Sequence, residues 1–253
     1  MSENGSRGGS DASTNPVIRH LQHMYYLSGE ERAALERLPM QVAELGSDQD
    51  IVREGDRPTK CFAMLEGYAC TLKLTGPGKR QIMAFHIPGD IPDLQSLHLE
   101  VLDITVTTLT PCQVGFVQHE ALRELCARYP RLADAFWRET LVGAAVFREW
   151  VMNVGRREAF ARLAHVFCEW MTRMRAMGLA QGNTCELPMT QSELGDATGI
   201  STVHVNRTIQ RLRAEGLIEL TGSKLTVLDW DRLKQVGDFD ATYLHYRPRK
   251  RAA

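Results

Sequence analysis

Apolar positions along the chain follow two periods, and the change between them divides it. From Val42 to Val117 short apolar runs alternate at period two and stop at glycine and proline turns. Ile51-Val52 precedes Glu54-Gly55-Asp56, Cys61 to Leu65 precedes Glu66-Gly67, Ala69 to Leu74 precedes Gly76-Pro77-Gly78, and Gln81 to Ile87 precedes Pro88-Gly89-Asp90. Short strands with turn signals at this spacing predict a β-sandwich or jelly-roll barrel. Helical periodicity flanks it. From His20 to Leu38 a helical pattern places Leu21, Met24, Leu35 and Leu38 inward, with Ser28 and Glu31 as a capping box for its second half. A short helix over His119 to Tyr129 ends at Pro130. Beyond it Phe136, Gly143, Val146, Phe147, Trp150 and Val154 recur near heptad spacing and predict a long helix over 131–157. After a break near Asn153 to Arg157, Phe160, Leu163, Ala164, Phe167, Trp170, Met171 and Met174 supply an amphipathic face.

The stretch from Leu187 to Leu217 carries the densest local signals. Thr190 and Glu193 form a second capping box, so a short helix begins just after Thr190. Gly195 is small enough for a second helix to cross closely, and Gly199 suits a sharp turn. Ser201 is an N-cap for a helix running to about Glu215. In that helix Val205, Ile209 and Leu212 face one way, while Val203, Arg207 and Gln210, flanked by Asn206 and Arg211, face the other. Leu217 to Leu220, a Gly222-Ser223 turn and Leu225 to Leu228 read as a β-hairpin. The outward face has the chemistry of base readout: arginine pairs with guanine O6 and N7, Asn or Gln with adenine, and valine meets a thymine methyl.

This segment resembles the winged helix-turn-helix of the bacterial cyclic-AMP receptor protein and fumarate-nitrate regulator (Crp/Fnr) family. The glycine turns of residues 42–117 resemble that family's cyclic-nucleotide-binding β-roll, in which Pro88-Gly89-Asp90 would open the phosphate-holding segment. The resemblance implies an α+β chain with an N-terminal β-roll, a long dimerisation helix and a C-terminal winged helix-turn-helix. It also implies a homodimer joined through Phe136, Gly143, Val146, Phe147, Trp150 and Val154. Val203, Asn206, Arg207 and Gln210 would read bases, and Thr190, Gln191, Ser201, Thr202 and Arg211 would meet phosphate. Val203 and His204 depart from the family's usual acidic and small hydroxyl residues, so the half-site of better-known members does not carry over.

The phosphate segment departs from the pattern as well. Where cyclic-AMP-binding members carry Gly-Glu for the ribose and Arg with Ser or Thr for the phosphate, this chain has Pro92-Asp93 and Leu102-Asp103-Ile104-Thr105, with no arginine between Arg80 and Arg123. An anionic phosphodiester needs a cation or several donors, and an aspartate repels it. Control by cyclic AMP in the usual mode is therefore not expected, and the effector is left unassigned.

Composition adds limits. Formal net charge is −1, so a basic surface would have to be local. No apolar run approaches a bilayer span and the first residues lack a signal-peptide core, which predicts a cytoplasmic protein without membrane contact. Six scattered cysteines form no Cys-x-x-Cys pair, and none precedes Cys61, so neither a zinc ribbon nor an N-terminally ligated iron–sulfur cluster is expected. Cys185 would act as a redox switch only if exposed with a lowered pKa; an inert thiol is the preferred reading. No phosphate-cradling loop or paired-histidine helix motif is present, so neither an enzyme nor a metal site is expected.

The expected layout is a disordered N-terminus over 1–19, the β-roll with flanking helices over 20–130, the dimerisation helix over 131–157, the DNA-binding unit over 158–236, and a basic tail over 237–253. The expected function is homodimeric, sequence-specific transcription regulation on an inverted-repeat operator in double-stranded DNA, with RNA polymerase as a further partner if the protein activates. The alternatives are a cyclic-nucleotide-responsive signalling module and a nonspecific architectural DNA binder.

Overall fold

The computed structural model describes residues 15–247. Two helices open it, α1 (Pro16–Met24) and α2 (Gly29–Glu36). Asn15 caps α1 by accepting from Val17 N at 2.9 Å, with Pro16 pre-set in the first turn. The expected single helical stretch is thus two helices, broken where Ser28 and Glu31 cap each other reciprocally. Residues 15–19 belong to the fold, because Asn15 caps α1 and Val17 and Ile18 are buried; the rest of the expected disordered segment, 1–14, lies outside the described residues.

Seven strands follow: β1 (Gln41–Leu45), β2 (Asp50–Val52), β3 (Lys60–Glu66), β4 (Ala69–Leu74), β5 (Arg80–His86), β6 (Thr105–Thr108) and β7 (Cys112–Gln118). They form two antiparallel sheets, β1-β7-β3 and β2-β6-β4-β5. Phe62, Met64, Val106 and Val114 fill the space between them, as the period-two pattern requires. After α3 (His119–Arg128), Pro130 serves as the first residue of α4 (Pro130–Arg156), a helix of 27 residues.

The C-terminal unit comprises α5 (Ala159–Ala176), β8 (Ala180–Gln181), β9 (Thr184–Glu186), α6 (Gln191–Thr198), α7 (Thr202–Ala214), β10 (Ile218–Thr221), β11 (Lys224–Val227) and α8 (Trp230–Val236). The hairpin β10-β11 extends through β9 and β8 into a four-stranded sheet. Helix α5 is buried on nearly every side rather than along one stripe, because it lies between the β-roll and the helices of this unit. Trp170 packs edge-on against Phe85 of β5 and tilts over Tyr68, while Phe85 also meets Trp150 of α4. One continuous core therefore runs from β4 and β5 through α5 to α6 and α7.

The expected basic tail is partly structured. A 3-10 turn, Ala241–Leu244, docks on α5: Tyr243 Oη donates to Glu169 Oε2 at 2.7 Å, and Leu244 is buried. Arg249, Lys250 and Arg251 lie outside the described residues.

Asp93 shows how far the β-roll departs from a nucleotide site. Its side chain turns into the core at 0% exposure, where Oδ1 accepts from Phe62 N at 2.9 Å. Burial pushes its carboxyl up from an ordinary 3.8 to about 7. The folded chain thus holds this proton more tightly than the unfolded chain, so its contribution to stability falls as pH rises from about 4 to about 7. Asp93→Asn keeps the acceptor and removes the ionisation. The variant is expected to gain stability relative to the parent between about pH 5 and about pH 8, read as urea midpoints; an unchanged difference would exclude Asp93 as the source.

Candidate functional site

The helix-turn-helix forms as its capping residues dictate. Thr190 Oγ1 accepts from Glu193 N at 3.2 Å and Glu193 Oε2 accepts from Thr190 N at 2.6 Å, closing the start of α6. Gly199 ends that helix at φ +69°, a left-handed conformation costly for residues with a Cβ. Ser201 then caps α7 by accepting from His204 N at 3.3 Å. At Gly195 an added Cβ would stand 2.7 Å from the Ile200 carbonyl oxygen, so the close approach expected there is made by the turn backbone.

Val205, Ile209 and Leu212 are buried, and Thr208 completes the inner face of α7. The opposite face is open: Val203 is 63% exposed, and Asn206, Arg207 and Gln210 are exposed beside it. Asn206 Nδ2 donates to Gln191 Oε1 at 3.1 Å, which joins the start of α6 to the outward face of α7. Arg211 lies 4.0 Å over the Phe160 ring and pairs with Glu215 at 3.0 Å, and Arg232 meets the same carboxylate at 3.1 Å. Among the described residues Arg207 has no hydrogen-bond or ion-pair partner. Its guanidinium is therefore free for an external acceptor, whereas the hydroxyls of Thr190 and Ser201 are engaged as caps. Thr202 is exposed at the start of α7.

The structure separates the residues expected at a dimer contact. Phe136 packs with α1, α2 and the β-roll, and Trp150 with Phe85 and α5. Both are buried within the protomer, which leaves little of either side chain to meet a second copy. Val146 and Val154 are half-buried, and Gly143 and Phe147 exposed. The apolar stripe that α4 leaves open starts one residue later than the expected one: Trp137 (66% exposed), Leu141, Ala144 and Val151. Heptad periodicity is legible in sequence, but the phase of a helix with two apolar faces is set by which face the β-roll takes.

A polar cluster beneath the Pro88-Gly89-Asp90 turn is not foreshadowed by any motif. Asp90, 4% exposed, meets Arg173 of α5 through Oδ2 at 2.5 Å, and Arg173 Nη1 donates to the Phe85 carbonyl at 2.6 Å. His86 Nδ1 lies 3.4 Å from the same carboxylate, and its Nε2 is 2.7 Å from Thr71 Oγ1. His20 of α1 contacts Glu139 of α4 at 3.0 Å. Burial alone would raise the Asp90 carboxyl, but Arg173, aided by His86 and His20, holds it well below the usual range. Burial would lower His20, yet Glu139 and Asp90 outweigh it and raise it. Of the four charged residues of α5, Arg162, Glu169, Arg173 and Arg175, only Glu169 and Arg173, one helical turn apart, are buried.

Above this cluster, between β4, β5 and α4, is a cavity of about 530 Å³. Asp103, at the place of the expected phosphate arginine, lines it, and Asp93 does not. Cys185 is buried and its thiol is pushed up to about 11 by burial, the setting of an inert thiol. No helix among the described residues is long and apolar enough to cross a membrane.

Comparison with known proteins agrees with this architecture. Residues 43–129 match the cyclic nucleotide-binding domain family and residues 161–236 the Crp-like helix-turn-helix domain family, together more than half of the chain. The transcriptional activator protein FnrA of Stutzerimonas stutzeri is 26% identical over 203 residues, covering 80% of this chain and 83% of the relative. The nitrogen fixation regulation protein FixK of Bradyrhizobium diazoefficiens is 28% identical over 210 residues, 82% and 86% of the two chains. The structure of FixK2 from Bradyrhizobium japonicum superposes with a TM-score of 0.72 at 24% identity, covering 79% of this chain and 98% of that one. With a cyclic-nucleotide-binding fold joined to a Crp-like helix-turn-helix, and relatives that are transcription regulators rather than enzymes, the chain belongs to the Crp/Fnr family of DNA-binding transcription regulators.

Proposed function

We propose that the protein acts as a homodimer on an inverted-repeat operator and does so without cyclic AMP in the family's usual mode. The observation that carries this reading is α7: one face is core, and the other exposes Val203, Asn206, Arg207 and Gln210 with the arginine unpartnered. Arg207 reads guanine, while Asn206 and Gln210 offer paired contacts to adenine. Thr190, Gln191, Ser201, Thr202 and Arg211 border that face and meet the backbone phosphates through side chains or helix-start amides. Two-fold symmetry then sets the two recognition helices about one DNA turn, roughly 34 Å, apart.

Dimerisation through Trp137, Leu141, Ala144 and Val151 is supported by their heptad spacing on the open face of α4 and by family membership. Cyclic AMP control is disfavoured because Asp103 and Asp90 line the cavity where the phosphate would need a free cation.

Two substitutions test this reading. Arg207→Ala is expected to weaken binding to a selected operator by about 1–3 kcal/mol with little loss on random DNA; equal losses on both would refute base reading. Leu141→Glu, which places a charge on the exposed stripe, is expected to give monomers in sedimentation velocity, while an unaltered dimer would place the interface elsewhere.

A further inference from the structure

We infer that Gln191 is a positioning residue for base reading: by holding one amide N–H of Asn206 it leaves that side chain the donor and acceptor that fit adenine, and withholds the second donor that guanine would take. The inference rests on the reading that the open face of α7 contacts base edges, and adds how one of those contacts is made selective.

The two side chains come from different helices, yet Asn206 Nδ2 donates to Gln191 Oε1 at 3.1 Å. Their backbones have little freedom in that approach. The reciprocal cap of Thr190 and Glu193 makes Gln191 the first residue of α6. Leu194 of α6 shares a core with Val205 and Ile209 of α7, and the turn between the helices passes as close to Gly195 as its missing Cβ allows. Both amides are nevertheless exposed. Among the described residues this is the one hydrogen bond that either side chain makes.

An asparagine amide carries two N–H donors and a carbonyl acceptor. The terminal torsion of an unheld asparagine is broad and roughly two-fold, so it can offer a base either edge. Guanine presents two acceptors, O6 and N7, to the major groove, and both N–H groups of a free amide can donate to them. Adenine presents N7 as acceptor and its N6 amine as donor, so it takes one N–H and the carbonyl. With one N–H held by Gln191, Asn206 keeps Oδ1 and a single N–H. That set matches adenine and is one donor short for guanine, whose O6 would face the amide carbonyl, acceptor against acceptor. The Nε2 of Gln191 stays available to a phosphate, so one side chain ties a backbone contact to a base contact.

The test is selection of bound duplexes from random DNA by the full chain at physiological salt, run for the parent, Asn206→Ala, Gln191→Ala and Gln191→Glu. Asn206→Ala marks the base pair that Asn206 reads, as the one at which preference disappears. There the parent is expected to favour adenine over guanine by about tenfold, and Gln191→Ala to cut that ratio to about threefold or less, with preference at the other base pairs intact. Gln191→Glu keeps the acceptor, so it is expected to bind all sequences less tightly, through its charge beside phosphate, while keeping the adenine preference. A parent preference other than adenine at the marked pair, an unchanged ratio in Gln191→Ala, or a lost preference in Gln191→Glu would overturn the inference. A loss spread over every base pair in Gln191→Ala would do so by making Gln191 a support of the helices alone. If Asn206→Ala alters no base pair while the parent still selects an operator, this inference fails by itself; if the parent retains all sequences alike, base reading by α7 fails with it.

Discussion

The ion pair between Asp90 and Arg173 is the constraint on which the arrangement of the two halves depends. Asp90 lies in the turn of the β-roll that the family reserves for ligand, and Arg173 lies on the helix that supports the DNA-binding unit. Both are buried, so neither has a full hydration shell in the folded chain. A buried charge is tolerable only with its partner, and removing one member of such a pair costs about 3–5 kcal/mol. The pair alone adds little net stability over an apolar replacement, but it is directional in a way that the aromatic contacts around Phe85, Trp150 and Trp170 are not. Packing brings α5 to the β-roll, and the guanidinium, held by both Asp90 and the Phe85 carbonyl, fixes its register.

Other contacts extend that register to the DNA-binding face. Arg80 of β5 pairs with Asp196 at 2.7 Å, and Gln81 Nε2 donates to the Ala197 carbonyl at 3.3 Å, both near the end of α6. Arg162 reaches the Thr198 carbonyl from α5. The helix-turn-helix is thereby seated on the edge of the sheet that walls the cavity, while the outward face of α7 stays clear. β5 and the Pro88-Gly89-Asp90 turn thus make direct contact with α6 and α5, the elements that flank the recognition helix.

How much of this was legible in the sequence depends on the range of the interaction. Capping boxes at Ser28 and Thr190, the left-handed Gly199 and the two-faced α7 are local, and each lies where its residue pattern put it. The β-roll strands followed from alternation and turns. The phase of α4 did not, since Phe136 and Trp150 are as apolar as Trp137 and Leu141 and only the β-roll decides which pair is covered. The cluster of His20, Asp90, Glu139 and Arg173 draws on four elements separated by up to 153 positions in sequence, and no spacing rule reaches that far. Asp93 follows the turn where cyclic-AMP-binding members carry a ribose contact, and only the fold shows that its side chain points into the core.

The measurement that bears most directly on the central claim is selection of bound fragments from random duplex DNA by the purified full chain at physiological salt, with and without cyclic AMP. An inverted repeat whose half-sites lie about one helical turn apart, enriched equally in both conditions, is the expected result. Enrichment only with cyclic AMP, or retention of all sequences alike, would contradict it.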